Sequence, residues 1–260
     1  MKRVIFKNSR KLSLVGNLYS AGTESIIIMC HGFASDQSAQ GRFKTMANSL
    51  MKYGYSSLAF DFSGCGESDD EIINLDKLID DLNSAISYVK TLGFKKIAFF
   101  SHSLGGFISL KCFSEDITTM VLLGPQTGSR DFSGEKYNTP EQLEELKEKG
   151  YFTFIKKNRI REKVIVGQQL HIDLAHINQY EVLKKVTCPI LIIHGNNGET
   201  ELEGYENSKT GIKLLSKESE LKVINGANHS FVEQYDTVVK LTTDWLLNYL
   251  NNEPVLNANI

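Results

Sequence analysis

The stretch that most limits the fold is Ala98-Phe99-Phe100-Ser101-His102-Ser103-Leu104-Gly105-Gly106. An apolar run halts at small and polar residues. Apolar residues at helical spacing resume at once with Phe107, Ile108 and Leu110. That order predicts a strand, a very sharp turn and a helix, with Ser103 at the apex. A serine on such a turn projects its hydroxyl clear of the sheet, where a base and a substrate can both reach it. Gly105 fits the same geometry, because a side chain there would collide with the strand as the helix packs down. The usual pattern of such a turn is G-x-S-x-G. This chain has S-x-S-x-G, with Ser101 in place of the first glycine.

The flanking segments set the fold class. Runs at residues 25–30, 57–62, 96–100, 118–123, 189–193 and 220–224 read as strands, most of them apolar enough to be buried on both faces. Between them, Phe43, Met46, Ala47, Leu50 and Met51 recur at helical spacing. So do Leu75, Leu78, Ile79, Leu82, Ile86 and Val89, with Asp80 and Asp81 expected on the wet side. Val238, Leu241, Trp245, Leu246 and Tyr249 predict a final amphipathic helix. Strand and helix in alternation specify an α/β fold, a mostly parallel sheet with helices on both faces. Residues 2–7 and 12–19, joined by the polar Ser9-Arg10-Lys11, add an antiparallel hairpin at one edge. Functional residues in such sheets gather at the carboxyl ends of the strands, where His31, Asp61, Ser103 and Gly124 all fall.

The alternation breaks between 128 and 182. Residues 141–149 predict a charged helix, and 151–155 and 163–166 two short strands joined by Lys156-Lys157-Asn158-Arg159. An insertion of this size at the carboxyl edge of a sheet reads as a cap over a site. The expected division is a core of 1–127 and 183–250, a cap of 128–182, and a flexible tail of 251–260. After 189–193 the sequence predicts a polar, acidic loop over 196–203 and a helix over 204–215.

Composition narrows the partners. Charge is nearly balanced, 29 basic against 31 acidic residues, and no basic stripe invites nucleic acid. No apolar run is long enough to span a membrane. Met1-Lys2-Arg3 is followed by only three apolar residues before Lys7, so no signal-peptide core is expected. The four cysteines, Cys30, Cys65, Cys112 and Cys188, form no C-x-x-C pair and predict reduced thiols and a cytoplasmic location. Cys65, in a glycine-rich loop, is the one expected to be accessible. Oligomeric state is open, a homodimer included.

A serine hydroxyl is a weak nucleophile unless a base, a group orienting that base and N–H donors for an oxyanion surround it. His229 is the favoured base. It follows the last strand, comes after the serine in the chain and sits in a loop of small residues. His102 adjoins Ser103 and should point elsewhere. His31 and His194 precede glycines at strand ends and should shape loops. His171 and His176, with Asp173, lack the spacing of a metal site, so no metal is expected. The N–H groups of Leu104 and Phe33 are the candidate oxyanion donors.

With these residues in place, the chain resembles the α/β-hydrolases. The motifs that carry the likeness are His31-Gly32-Phe33, Asp61-Phe62-Ser63-Gly64-Cys65-Gly66-Glu67-Ser68, Ser101 to Gly105, His194-Gly195 and Gly226-Ala227-Asn228-His229. They span nearly the whole chain in that family's order. The capped, compact form is similar to bacterial carboxylesterases of the feruloyl (cinnamoyl) esterase type and, more loosely, to monoacylglycerol lipases. The resemblance implies an eight-stranded sheet, a serine mechanism on small-molecule esters and no cofactor. Similar enzymes carry an aspartate four residues beyond the first residue of the H-G pair, and Gly198 stands there. A loop longer by one residue would bring in Glu199, the favoured acid, with Glu201 second and Asp131 more remote. Absence of an acid is a further alternative. Open rivals are an amide, thioester or peptide hydrolase with the same groups, and a non-catalytic binding protein lacking the acid. Tyr137, Tyr151, Phe152, Phe154 and Tyr180 are the cap aromatics that could line an acyl or aromatic pocket, or simply pack against the body.

Overall fold

In β1 (Lys2–Lys7) Val4 and Phe6 are buried and Ile5 between them is exposed, and the strand pairs antiparallel with β2 (Ser13–Tyr19), from Lys2 opposite Leu18 to Lys7 opposite Ser13. In this computed structural model, residues 1–22, 24–157 and 159–250 are described. The expected flexible tail 251–260 lies outside them. Next come β3 (Ser25–Cys30), α1 (Arg42–Met51), β4 (Ser56–Phe60), the two-residue β5 (Ile72–Ile73), α2 (Leu75–Thr91), β6 (Lys96–His102), α3 (Leu104–Lys111) and β7 (Ile117–Leu123). The intervening segment carries α4 (Pro140–Lys149), β8 (Tyr151–Ile155), β9 (Lys163–Gly167), α5 (Gln168–Ala175) and α6 (Gln179–Leu183). Then follow β10 (Ile190–Gly195), α7 (Glu199–Gly211), β11 (Glu220–Ile224) and α8 (Tyr235–Tyr249).

Eight strands form one sheet in the order β1-β2-β4-β3-β6-β7-β10-β11. The pairs β1/β2 and β2/β4 are antiparallel and all others parallel. The α/β-hydrolase expectation of a mostly parallel, eight-stranded sheet is met. Because side chains alternate across a strand, each buried strand feeds two cores. Ile26, Ile28 and Cys30 of β3, with Ile97 and Phe99 of β6, join the layer under α2 and α3. Ile27 and Met29, with Ala98 and Phe100, join the layer under α1 and α8. There Trp245 donates its indole N–H to Thr119 Oγ1 at 2.8 Å.

A second sheet, in the order β5-β9-β8, stands on the carboxyl edge of the first. Two residues of β5 are too few to show in an alternation pattern. Arg161, just before β9, reaches the carbonyls of Gly66 and Ser68 and the Asp70 carboxylate, tying this sheet to the loop after β4.

Two expectations fail in packing. Asp81 is buried on α2 and accepts hydrogen bonds from Asn8, Arg10 and both the N–H and hydroxyl of Ser63. The loop after β4 folds back over that helix, so the face expected to be wet receives donors. Cys65, in the same loop, is covered as well, and all four cysteines are buried and unpaired among the described residues. No described helix is long and apolar enough to cross a membrane.

Candidate active site

Ser103 sits between β6 and α3 at φ 55° and ψ −121°. This is a left-handed backbone that serine rarely adopts. Its N–H is tied to the Leu123 carbonyl of the neighbouring strand at 2.9 Å. A Cβ on Gly105 would lie 2.6 Å from the carbonyl oxygens of Cys30 and His31, so glycine is required where the helix crosses β3. Ser101 is accommodated by a partner on α3. Ser109 gives its hydroxyl hydrogen to the Gly105 carbonyl at 2.8 Å, so Ser101 is the donor in its 2.6 Å contact with Ser109.

His229 Nε2 lies 2.9 Å from Ser103 Oγ, and its Nδ1 lies 2.5 Å from Glu201 Oε2. An ionised carboxylate only accepts, so Nδ1 carries the hydrogen and Nε2 is left to accept from the serine. His102 donates from Nε2 to the His229 carbonyl at 2.8 Å, which fixes the loop bearing the imidazole. Burial first, and then the neighbouring His229, hold the His102 ring down at about 3, so it stays neutral.

The structure corrects the favoured acid. The helix expected from 204 begins at Glu199, after Gly198 at φ 96°. At about 100° per residue, positions 199 and 201 point in opposed directions. Glu199 faces solvent, its side chain 75% exposed and paired with Lys136 at 2.6 Å. Glu201 faces inward at 1% exposure. Its Oε1 accepts from His194 Nδ1 at 2.8 Å and from the Gly195 N–H at 2.9 Å, while Oε2 meets His229. Burial pushes its carboxyl up, but the bonds from His194 and His229 outweigh burial and hold it down at about 2. Asp131 is exposed and occupied by the N–H and hydroxyl of Ser133.

Beside Ser103 opens a cavity of about 280 Å³. Phe33, Leu104, Phe132, Phe152, Phe154, Leu170 and Leu174 give it apolar walls. Tyr137 also lines it, whereas Tyr151 does not and Tyr180 is exposed. Leu104 is the first residue of α3, so its N–H has no acceptor within the helix. Leu104 and Phe33 both line the cavity beside the serine. Arg130 lines the cavity too, and the sequence reading did not mark it. It gives hydrogen bonds to the Thr200 carbonyl (3.3 Å) and the Tyr137 hydroxyl (3.1 Å), and pairs with Glu203 at 2.8 Å. A lone arginine at the start of an insertion carries no periodic or motif signal. Chemically, the arrangement can draw a proton from a hydroxyl into an imidazole backed by a buried carboxylate, next to a pocket with apolar walls.

The sequence profile described as serine aminopeptidase, S33, matches residues 21–181, a span that contains Ser103 and stops short of Glu201 and His229. A Mycoplasma pneumoniae protein named as an esterase/lipase is 24% identical over 251 aligned positions, covering 86% of this chain and 88% of its own. Among solved structures, the α/β-hydrolase GrgF from a Penicillium superposes with a TM-score of 0.77 at 18% identity, over 95% of this chain and 98% of its own. Est1E from Butyrivibrio proteoclasticus, solved with ferulic acid, gives 0.75 at 21% identity, over 95% and 99%.

Proposed function

The chain belongs to the family described as serine aminopeptidase, S33, and from that premise we propose that it is a serine hydrolase of carboxylic esters. Ser103 Oγ attacks the ester carbonyl while His229 Nε2 takes its proton, and Glu201 holds the imidazole and balances its charge. The N–H groups of Leu104 and Phe33 receive the oxyanion. His229 then protonates the departing alcohol, and a water activated by the same imidazole releases the acid from the acyl-enzyme. This chemistry calls for no metal or organic cofactor. Residues 128–182 act as the cap, closing an apolar pocket over a core of 1–127 and 183–250.

The observation that carries this reading is the chain of contacts from Ser103 through His229 to Glu201, opening on a cavity with apolar walls. The relatives named as esterases support the ester class. The family's description favours a second reading, an aminopeptidase. Such an enzyme must hold the free ammonium of a peptide against an acceptor. Glu201 is the only carboxylate among the described lining residues, and both its oxygens are engaged, whereas Arg130 adds a cation. The pocket therefore suits an uncharged acyl group, short to medium in length or a single ring.

Hydrolysis of p-nitrophenyl esters from acetate to octanoate, beside a panel of aminoacyl p-nitroanilides, tests the proposal. Ester turnover that Ser103→Ala lowers by about 10⁴-fold or more is the expected result. Anilide turnover without ester turnover would favour the peptidase. Turnover of neither, with no phosphonate labelling of Ser103 in the folded protein, would point to a binding protein.

A further inference from the structure

Glu201 is shared between two imidazoles, and the mechanism above uses one. His194 lies at the end of β10 with no exposed surface, and its Nδ1 is 2.8 Å from Glu201 Oε1. The ring's other nitrogen, Nε2, meets Ser208 Oγ at 2.9 Å. Ser208 in turn lies 3.2 Å from Thr127 Oγ1, which accepts from Gln179 Nε2 at 3.4 Å. Each hydroxyl has a single hydrogen, and the carboxylate only accepts. For a His194 ring with its single hydrogen on Nδ1, those limits orient the row: Gln179 to Thr127, Thr127 to Ser208, Ser208 to His194, and His194 to Glu201. From the other side Ser103 donates to His229 and His229 to Glu201. Both rows of donors end on one carboxylate.

We infer that His194 is a positioning residue: by donating from Nδ1 to Oε1 it fixes the rotamer of Glu201 so that Oε2 faces His229. The inference rests on the catalytic reading of Ser103, His229 and Glu201. A glutamate has one more rotatable bond than the aspartate of similar enzymes and can swing out of line. Two donors on Oε1, His194 and the Gly195 N–H, remove that freedom. Burial pushes Glu201 up, and the bonds from His194 and His229 more than offset it. The titratable groups facing the carboxylate are His194 and His229, with the His102 ring next behind His229.

The test compares His194→Leu, which removes the donor, with His194→Asn, whose amide nitrogen sits near the place of Nδ1, and with the milder Ser208→Ala, which frees the ring's far side. For His194→Leu, kcat for p-nitrophenyl butyrate falls about 10–100-fold while KM holds, and His194→Asn recovers to within about threefold. The acid limb of the pH–kcat profile moves to higher pH in His194→Leu, because a carboxylate relieved of one donor holds the His229 proton more tightly. Ser208→Ala shows the same changes in smaller measure. A turnover-independent readout is the low-field proton resonance of the His229 Nδ1–H···Glu201 bond, expected to shift in His194→Leu and return in His194→Asn. Unchanged kcat and an unmoved resonance in folded His194→Leu would overturn the inference, as would equal losses in the leucine and asparagine variants. Should the wild type turn over no ester, the catalytic reading fails, and the resonance still decides whether His194 orients Glu201.

Discussion

Ser103 and Glu201 are held by different means. Ser103 is positioned by its own neighbours in the chain: a strand, a left-handed residue and a glycine that lets α3 lie against β3. Glu201 is positioned by residues scattered over the chain. His194 and Gly195 hold one oxygen, His229 the other, and the turn carrying it is held by Arg130 on Thr200 and Glu203. Geometry fixed within a few residues leaves a motif. Geometry fixed by packing between segments leaves none, so the carboxylate that meets His229 sits in the first turn of α7 at a position no motif marks.

That contrast can be broken most directly at the acid. Glu201→Gln is expected to lower kcat by about 10³–10⁴-fold, because the imidazole loses its anionic partner while the serine and oxyanion donors stay. Glu199→Gln and Lys136→Ala should stay within about twofold of wild type, since their pair is exposed. Steady-state kinetics on one ester separates the two glutamates, and equal losses would dissolve the distinction between inward and outward faces of the first turn. At the nucleophile, Gly105→Ala should destabilise the fold by about 1–3 kcal/mol, because its methyl meets two backbone carbonyls that cannot swing aside. Denaturant unfolding reads this, and an unchanged midpoint would mean that α3 has room to spare. The smallest effect sharpens the contrast through pH. Glu201 has its folded value depressed from 4.5 to about 2, so its share of stability is complete above 4.5 and is lost as pH falls toward 2. Midpoints of wild type and Glu201→Gln, measured from pH 6 down to pH 2.5, should converge across that window, whereas parallel curves would show that the carboxylate's partners give it no preference for the ionised form.

The two mechanisms of placement also set what could be read in advance. Alternating strands and helices, and the turn at Ser103, follow from short-range pattern, so the sheet and the proximity of His229 to the serine were legible. The acid narrows in the sequence to a short run, with the favoured Glu199 two positions too early, because the start of α7 depends on Gly198 and on the partners that Glu201 finds inside. Asp81 and Cys65 escape a local reading through the same packing: the loop after β4 folds down on α2, which brings Ser63 to Asp81 and buries Cys65, a member of that loop. Arg130, Phe132 and Leu170 line the cavity without any spacing to reveal them. His194 was visible as part of a pair with Gly195, yet only its neighbours disclose the carboxylate it holds.

Arg130 stands in the cavity wall and also grips the turn that bears Glu201. A group that presses on that wall would press as well on the turn that carries Glu201. A well-fitting acyl group would then tighten the very turn on which proton transfer depends, and a poor one would leave it slack. On the proposed ester chemistry, selectivity would be expressed in turnover more than in grip: loosely fitting esters would still be held by the apolar pocket and would be processed slowly once there.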